Sequence, residues 1–129
     1  MSRTVVLAVG HDPLLLKTRG QVLQAAGYVV VSTHSLKDAM AKFLHGDFDL
    51  VILCHSLPVE QREHLTYFIR EQTSLTPIIS ISPNWGQHDL FTDVTIDNDP
   101  NELVRGLREV LNGHGEYFRG DGGTGRAAR

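Results

Sequence analysis

The stretch Asp49-Leu50-Val51-Ile52-Leu53-Cys54-His55-Ser56-Leu57-Pro58 decides the fold. Leu50 to Leu53 are four successive apolar residues, with β-branched side chains at Val51 and Ile52. The run lacks the polar alternation of a half-exposed strand and is too short to require a helix. It reads as a strand covered on both faces, as in a parallel sheet held between helix layers. Pro58 has no N–H to extend a ladder, so the strand ends near Cys54 and a loop follows. Ligands of open α/β sheets collect beyond the carboxyl ends of the strands. Any small-ligand chemistry is therefore expected around Cys54, His55 and Ser56.

Upstream, Thr4 to Val9 is a first apolar run, stopped at Gly10. Asp12 stands where a helix N-cap belongs, with Pro13 at the first helical position. Leu14, Leu15, Val22, Leu23 and Ala26 give that helix an apolar stripe, and Lys17, Arg19, Gln21 and Gln24 its polar side. Gly27 is placed to end it. Tyr28 to Thr33 reads as a second strand. Ser35 then caps a helix to about His45, with Leu36, Ala39, Met40, Phe43 and Leu44 inward. Downstream, a helix is expected from about Glu60 to Gln72, a strand from Ile78 to Ile81 closed by Ser82-Pro83, and a short strand at Val94-Thr95-Ile96. A last helix runs from Asp99-Pro100 to about Leu111. Between Ser82 and Val94 the helical pattern fails. Five alternations of strand and helix predict an α/β fold, a doubly wound five-stranded parallel sheet whose fourth helix is shortened or absent.

The chain has 129 residues, enough for one domain with a real core. Hydrophobic content of 41% and charged content of 21% are globular values. A net charge of −3 gives no basic footprint for nucleic acid. The apolar run at the N-terminus is too short for a signal or membrane segment. A single cysteine excludes an internal disulfide and suits a reducing cytoplasm, the expected location. Residues 1–112 are expected to form the domain, and the glycine-rich 113–129 a flexible tail.

Six segments carry a family resemblance over about Thr4 to Leu111. They are Val9-Gly10-His11-Asp12-Pro13-Leu14-Leu15, Ala26-Gly27-Tyr28, Asp47-Phe48-Asp49-Leu50-Val51-Ile52-Leu53, Leu57-Pro58, Thr76-Pro77-Ile78-Ile79 and Asp99-Pro100-Asn101-Glu102-Leu103. In this order and spacing the chain resembles a response-regulator receiver domain, the CheY-like (flavodoxin-type) fold. The resemblance implies an acidic Mg²⁺-binding pair at the end of the first strand. Here the pair falls on Gly10 and His11, with Asp12 one place later. The phosphate-accepting aspartate falls on Cys54 and the switch hydroxyl on Ser82. The lysine after the fifth strand falls on Ile96, and no lysine follows Lys42. Aspartyl phosphorylation needs a carboxylate nucleophile, hard oxygen ligands and a cation on the phosphoryl oxygens. Of five functional positions, only Ser82 survives in kind.

The reading is a degenerate pseudo-receiver of a bacterial two-component or phosphorelay system. It is not an enzyme, has no cofactor or metal, and acts through a protein partner or self-association, with no nucleic acid and no membrane involved. Two alternatives stand beside it. One is a thiol- or metal-sensing domain using Cys54 with His11, Asp12 and His55. The other is a phosphorelay receiver with a non-standard site. A partner surface is expected on Trp85, Leu90 and Phe91 with Val104, Arg105 and Arg108 of the last helix. The first helix, with Lys17 and Arg19, is the competing surface.

Overall fold

The computed structural model describes residues 3–82 and 89–119, the last seven of these as backbone only. The elements are β1 (Val5–Val9), α1 (Pro13–Ala25), β2 (Val29–Thr33), α2 (Leu36–His45), β3 (Leu50–Leu53), α3 (Val59–Gln72), β4 (Ile78–Ser82), β5 (Val94–Asp97) and α4 (Pro100–Arg119). All five strands pair in parallel, in the order β2-β1-β3-β4-β5. The quoted stretch supplies the central strand β3, buried at every position.

Period-two alternation divides the core between the two faces of this sheet. Val6, Ala8, Leu50, Ile52, Ile79, Ile81, Val94 and Ile96 pack with Leu16 and Leu23 of α1 and with Leu103, Leu107 and Val110 of α4. On the opposite face Leu7, Val9, Val51, Leu53 and Ile78 meet Ala39 of α2 and Leu65 and Ile69 of α3. Each fully buried leucine or isoleucine contributes about 1.5–3 kcal/mol. Both faces are needed, which is why β3 shows no polar alternation.

The expected stops and starts are present. The Asp12 side chain accepts from the Leu14 and Leu15 amides, with Pro13 opening α1. The Ser35 hydroxyl accepts from Asp38 N. Gly27 has φ of 100°, the left-handed conformation that ends α1 without a Cβ penalty.

Three details differ from the sequence reading. Leu14, assigned to the apolar stripe of α1, is 73% exposed, whereas Leu16, Arg19, Gly20 and Leu23 are the buried positions of that helix. Leu44, placed inward on α2, is also exposed. The last helix runs to Arg119 instead of stopping near Leu111. Gly113 and Gly115 weaken a helix by about 1 kcal/mol each but keep the N–H that a proline would remove. Residues 120–129 of the expected tail lie outside the described residues. No described helix is long and apolar enough to cross a membrane.

A Cβ built on Gly106 of α4 would lie 2.9 Å from Ile96 Cγ2. The helix thus sits directly on β5 at this point. Gly106→Ala is expected to lower stability by about 1–3 kcal/mol through overpacking. Urea unfolding checks this, and an unchanged midpoint would show that Ile96 moves aside freely.

Candidate functional site

The ends of β1 and β3 meet at the carboxyl edge of the sheet. Cys54 N donates to Val9 O at 2.8 Å, and Gly10 N donates to Thr33 O at 3.1 Å. A Cβ on Gly10 would lie 2.9 Å from both Cys54 Cβ and Ser56 Oγ. Only glycine fits without displacing them. The Ser56 hydroxyl accepts from His11 N at 3.0 Å and Asp12 N at 3.2 Å, tying the β3–α3 loop to the β1–α1 loop. Asp12 gives its Oδ1 to the cap of α1. Position 54 is thus packed over by a glycine and a hydroxyl.

Cys54 is a free cysteine and 1% exposed. Burial pushes its thiol above the ordinary value, and the guanidinium of Arg19 beside it offsets only part of that rise. Arg19 was expected on the polar side of α1. The structure instead turns it under the edge, 7% exposed, with Nη2 donating to Asn98 Oδ1. No Lys or Arg stands near Cys54 in sequence; the fold brings Arg19 to it from α1. His55, on the adjoining loop, has a buried Nδ1 without a hydrogen-bond partner. Its pKa falls below 6.5, first through burial and then through the charges of Arg19 and Arg62.

Ser82 is buried at the end of β4, in register with Asp97. Ile96 pairs with Ile81 and lies in the core beneath α4. Among the described residues, no group of three or more His, Cys, Asp or Glu side chains is placed to hold a metal ion.

The β4–β5 connection is fastened from below by α3. Arg62 makes a bidentate pair with Asp89, Nε to Oδ2 at 2.8 Å and Nη2 to Oδ1 at 3.0 Å, and also donates to Leu57 O. Ser80 Oγ donates to Asp89 Oδ2 at 2.7 Å. Burial alone would raise the Asp89 pKa, but hydrogen bonds from Arg62 and Ser80 and the Arg62 charge together hold it below the ordinary 3.8. At the far end, Asp93 pairs with Arg70 and accepts from Ile78 N at 2.7 Å. Residues 89–93 form turns with no helix, and 83–88 lie outside the described residues.

No family model matches the sequence, and no curated protein matches it. Solved structures do match. The chemotaxis response regulator CheY4 of Vibrio cholerae is 23% identical, with a TM-score of 0.76, over 85% of this chain and 100% of that one. The Thermotoga maritima response regulator TrrA, in complex with Mg²⁺ and BeF, is 24% identical, with a TM-score of 0.74, over 84% and 99%. The signal receiver domain of a Pseudomonas fluorescens HD domain-containing protein is 22% identical, with a TM-score of 0.74, over 89% and 99%.

The chain has the fold of a CheY-like receiver domain.

Within this receiver fold the structure gathers some of the expected site residues and separates others. Gly10, His11, Asp12 and Cys54 meet at one edge as expected. Ile96 lies in the core. Of the expected partner surface, Leu90 is 93% exposed, Phe91 and Val104 are half-buried, and Arg105 and Arg108 are exposed. Arg105 forms ion pairs with Glu102 and Glu109 of its own helix. Trp85 lies outside the described residues. Arg19, Arg62 and Asp89 were not singled out from sequence as a site. For Arg19 the signal was its position three residues after Leu16 and four before Leu23, on one helix face. The Arg62–Asp89 pair spans 27 residues and leaves no local signal.

Arg62→Ala is expected to lower stability by about 2–3 kcal/mol, because it strands a largely buried carboxylate. Asp89 titrates below 3.8 when folded, so its contribution is present above that value and lost as pH falls below it. Melts taken from neutral pH downward check both points. The wild type should show an acid loss below about pH 4 that Arg62→Ala shows only weakly. Equal slopes would remove Asp89 from the account. Gly10→Asp, which drives a side chain into Cys54 and Ser56, should lower the melting temperature, a loss of about 1–3 kcal/mol.

Proposed function

We propose that this chain is a degenerate receiver domain of a bacterial two-component or phosphorelay system, acting in the cytoplasm by protein contacts without aspartyl phosphorylation. It is not an enzyme on this reading. The observation that carries the proposal is the packing of Gly10 against Cys54 and Ser56, each 2.9 Å from a Cβ built there. An acidic side chain at Gly10 has no room, and the nucleophile position holds a protonated thiol. Mg²⁺ favours oxygen ligands in near-octahedral order, which a thiol and imidazoles supply poorly.

A protein partner is in keeping with the fold. A TrrA structure in complex with the histidine kinase ThkA matches this chain at 23% identity and a TM-score of 0.74, over 84% of this chain and 98% of that one. The surface proposed for contact is the β4–β5 connection at Leu90 and Phe91 with the outer side of α4. A leucine 93% exposed beside a firmly anchored loop contributes little to folding. Leu90→Asp should therefore change stability by less than about 0.5 kcal/mol while weakening partner capture or self-association. A large loss of stability would make Leu90 a core residue. The thiol-sensing alternative gains from Arg19 lying beside Cys54; no comparable observation favours a metal-sensing site.

The direct test is incubation with acetyl phosphate and Mg²⁺ followed by intact-mass measurement. No phosphoryl addition is expected. A Mg²⁺-dependent addition, whether at Cys54 or elsewhere on the carboxyl edge, would overturn the reading in favour of a phosphorelay receiver with a non-standard site.

A further inference from the structure

β2 is an outer strand of the sheet, paired on one side only, with β1. Along it the backbone groups alternate in direction. Val29 N donates inward to Thr4 O, and Thr33 O accepts inward from Gly10 N. The N–H and C=O groups of Val30 and Ser32 therefore face away from β1, and among the described residues no strand pairs with them. Val29 and Ser32 are exposed, and Val30 and Val31 are half-buried, so this edge is open.

Open edges in soluble proteins carry devices that stop another strand from joining: a charge, a proline, a bulge or a very short strand. β2 carries none of them. From Gly20 to Leu36 the chain holds no Asp, Glu, Lys, Arg or Pro. The ladder from Val29 to Thr33 is continuous, with no bulge. A comparable uncharged run, Gln72 to His88, contains β4, which is buried at every position and paired on both sides. There the lack of charge is what burial demands. At an outer edge the fold has no such need.

This chain offers no strand of its own to cover the edge. Residues 83–88 are tied between β4 and β5, across the sheet from β2. Residues 120–129 include Gly120, Gly122, Gly123 and Gly125, and Thr124 is their one β-branched residue, a composition depleted in strands.

We propose that the β2 edge pairs with the β2 edge of a second copy, antiparallel, about a two-fold axis through Val31. In this register Val30 exchanges both backbone hydrogen bonds with Ser32 of the second copy, and Ser32 does so with its Val30. Both outward-facing residues are used. Val31 meets Val31 of the second copy as the non-hydrogen-bonded pair, with Cα atoms about 4.5 Å apart. The paired segments hold no charge, so none is opposed or desolvated. A self-complementary contact of this kind closes at two copies. It leaves the β4–β5 connection, at the opposite side of the sheet, free for a partner. The proposal goes beyond the contact-only reading and does not depend on phosphoryl uptake.

The test is sedimentation velocity of the full chain from micromolar to millimolar concentration, with amide hydrogen exchange read at both ends of the range. An edge-only contact buries little area and is weak, so the range is wide. The mass should rise from 14.3 kDa toward twice that value and stop there. The Val30 and Ser32 amides should exchange more slowly in the concentrated sample. Ser32→Pro removes an outward N–H that β1 does not use, and should keep the chain monomeric throughout. Should that variant fail to fold, Ser32→Lys, which puts a charge on an exposed position of the edge, should do the same. Leu90→Asp should dimerise like its parent. The proposal is overturned if the parent is monomeric at every concentration, a result that leaves the edge to a strand of another protein. It is equally overturned if the mass grows without limit, or if a dimer forms with exchange at Val30 and Ser32 unchanged. A dimer that survives Ser32→Lys, or that Leu90→Asp abolishes, overturns it too.

Discussion

The carboxyl edge of this sheet depends on one close approach, that of the Gly10 backbone to Cys54 and Ser56. Strand pairing brings β1 and β3 together, and Cys54 N on Val9 O fixes the register at their ends. With no Cβ at Gly10, the β3–α3 loop folds inward and the Ser56 hydroxyl reaches two amides of the β1–α1 loop. These contacts fill the space beside Cys54 with the Gly10 backbone and the Ser56 hydroxyl. Asp12, the nearest carboxylate in sequence, gives an oxygen to the cap of α1. The chemistry open to the edge follows from packing as much as from residue type.

A second constraint acts from below. Arg62 and Arg70 on α3 grip Asp89 and Asp93, so the described part of the β4–β5 connection is anchored to the sheet without a helix. The bidentate Arg62–Asp89 pair is largely buried and joined by Ser80, the geometry in which an ion pair has its strongest directional effect. A connection fastened in this way suits a domain that presents a fixed surface.

Much of the fold was legible in the chain. The unbroken apolar run of β3 implied a sheet covered on both sides. Asp12, Ser35 and Gly27 marked helix ends through hydrogen bonds and backbone angles that act within a few residues. The shortened fourth crossover was visible as a gap in periodicity between Ser82 and Val94. The site was less legible, because its decisive contacts are long-range. Gly10 reads as a simple strand end until Cys54 and Ser56 are placed against it. Arg19 looks like a solvated helix residue until its spacing from Leu16 and Leu23 is given more weight than its charge. Arg62 and Asp89 are unremarkable in sequence, since burial alone gives their pairing its weight.

The central claim is that the receiver-fold phosphorylation site is closed by packing. It is tested most directly by amide ¹H–¹⁵N spectra of the folded chain, recorded as Mg²⁺ and beryllofluoride, a phosphoryl analogue, are added. The account predicts no saturable shift at Gly10, Cys54 or Ser82. Saturable shifts at those three amides, dependent on both additives, would contradict it.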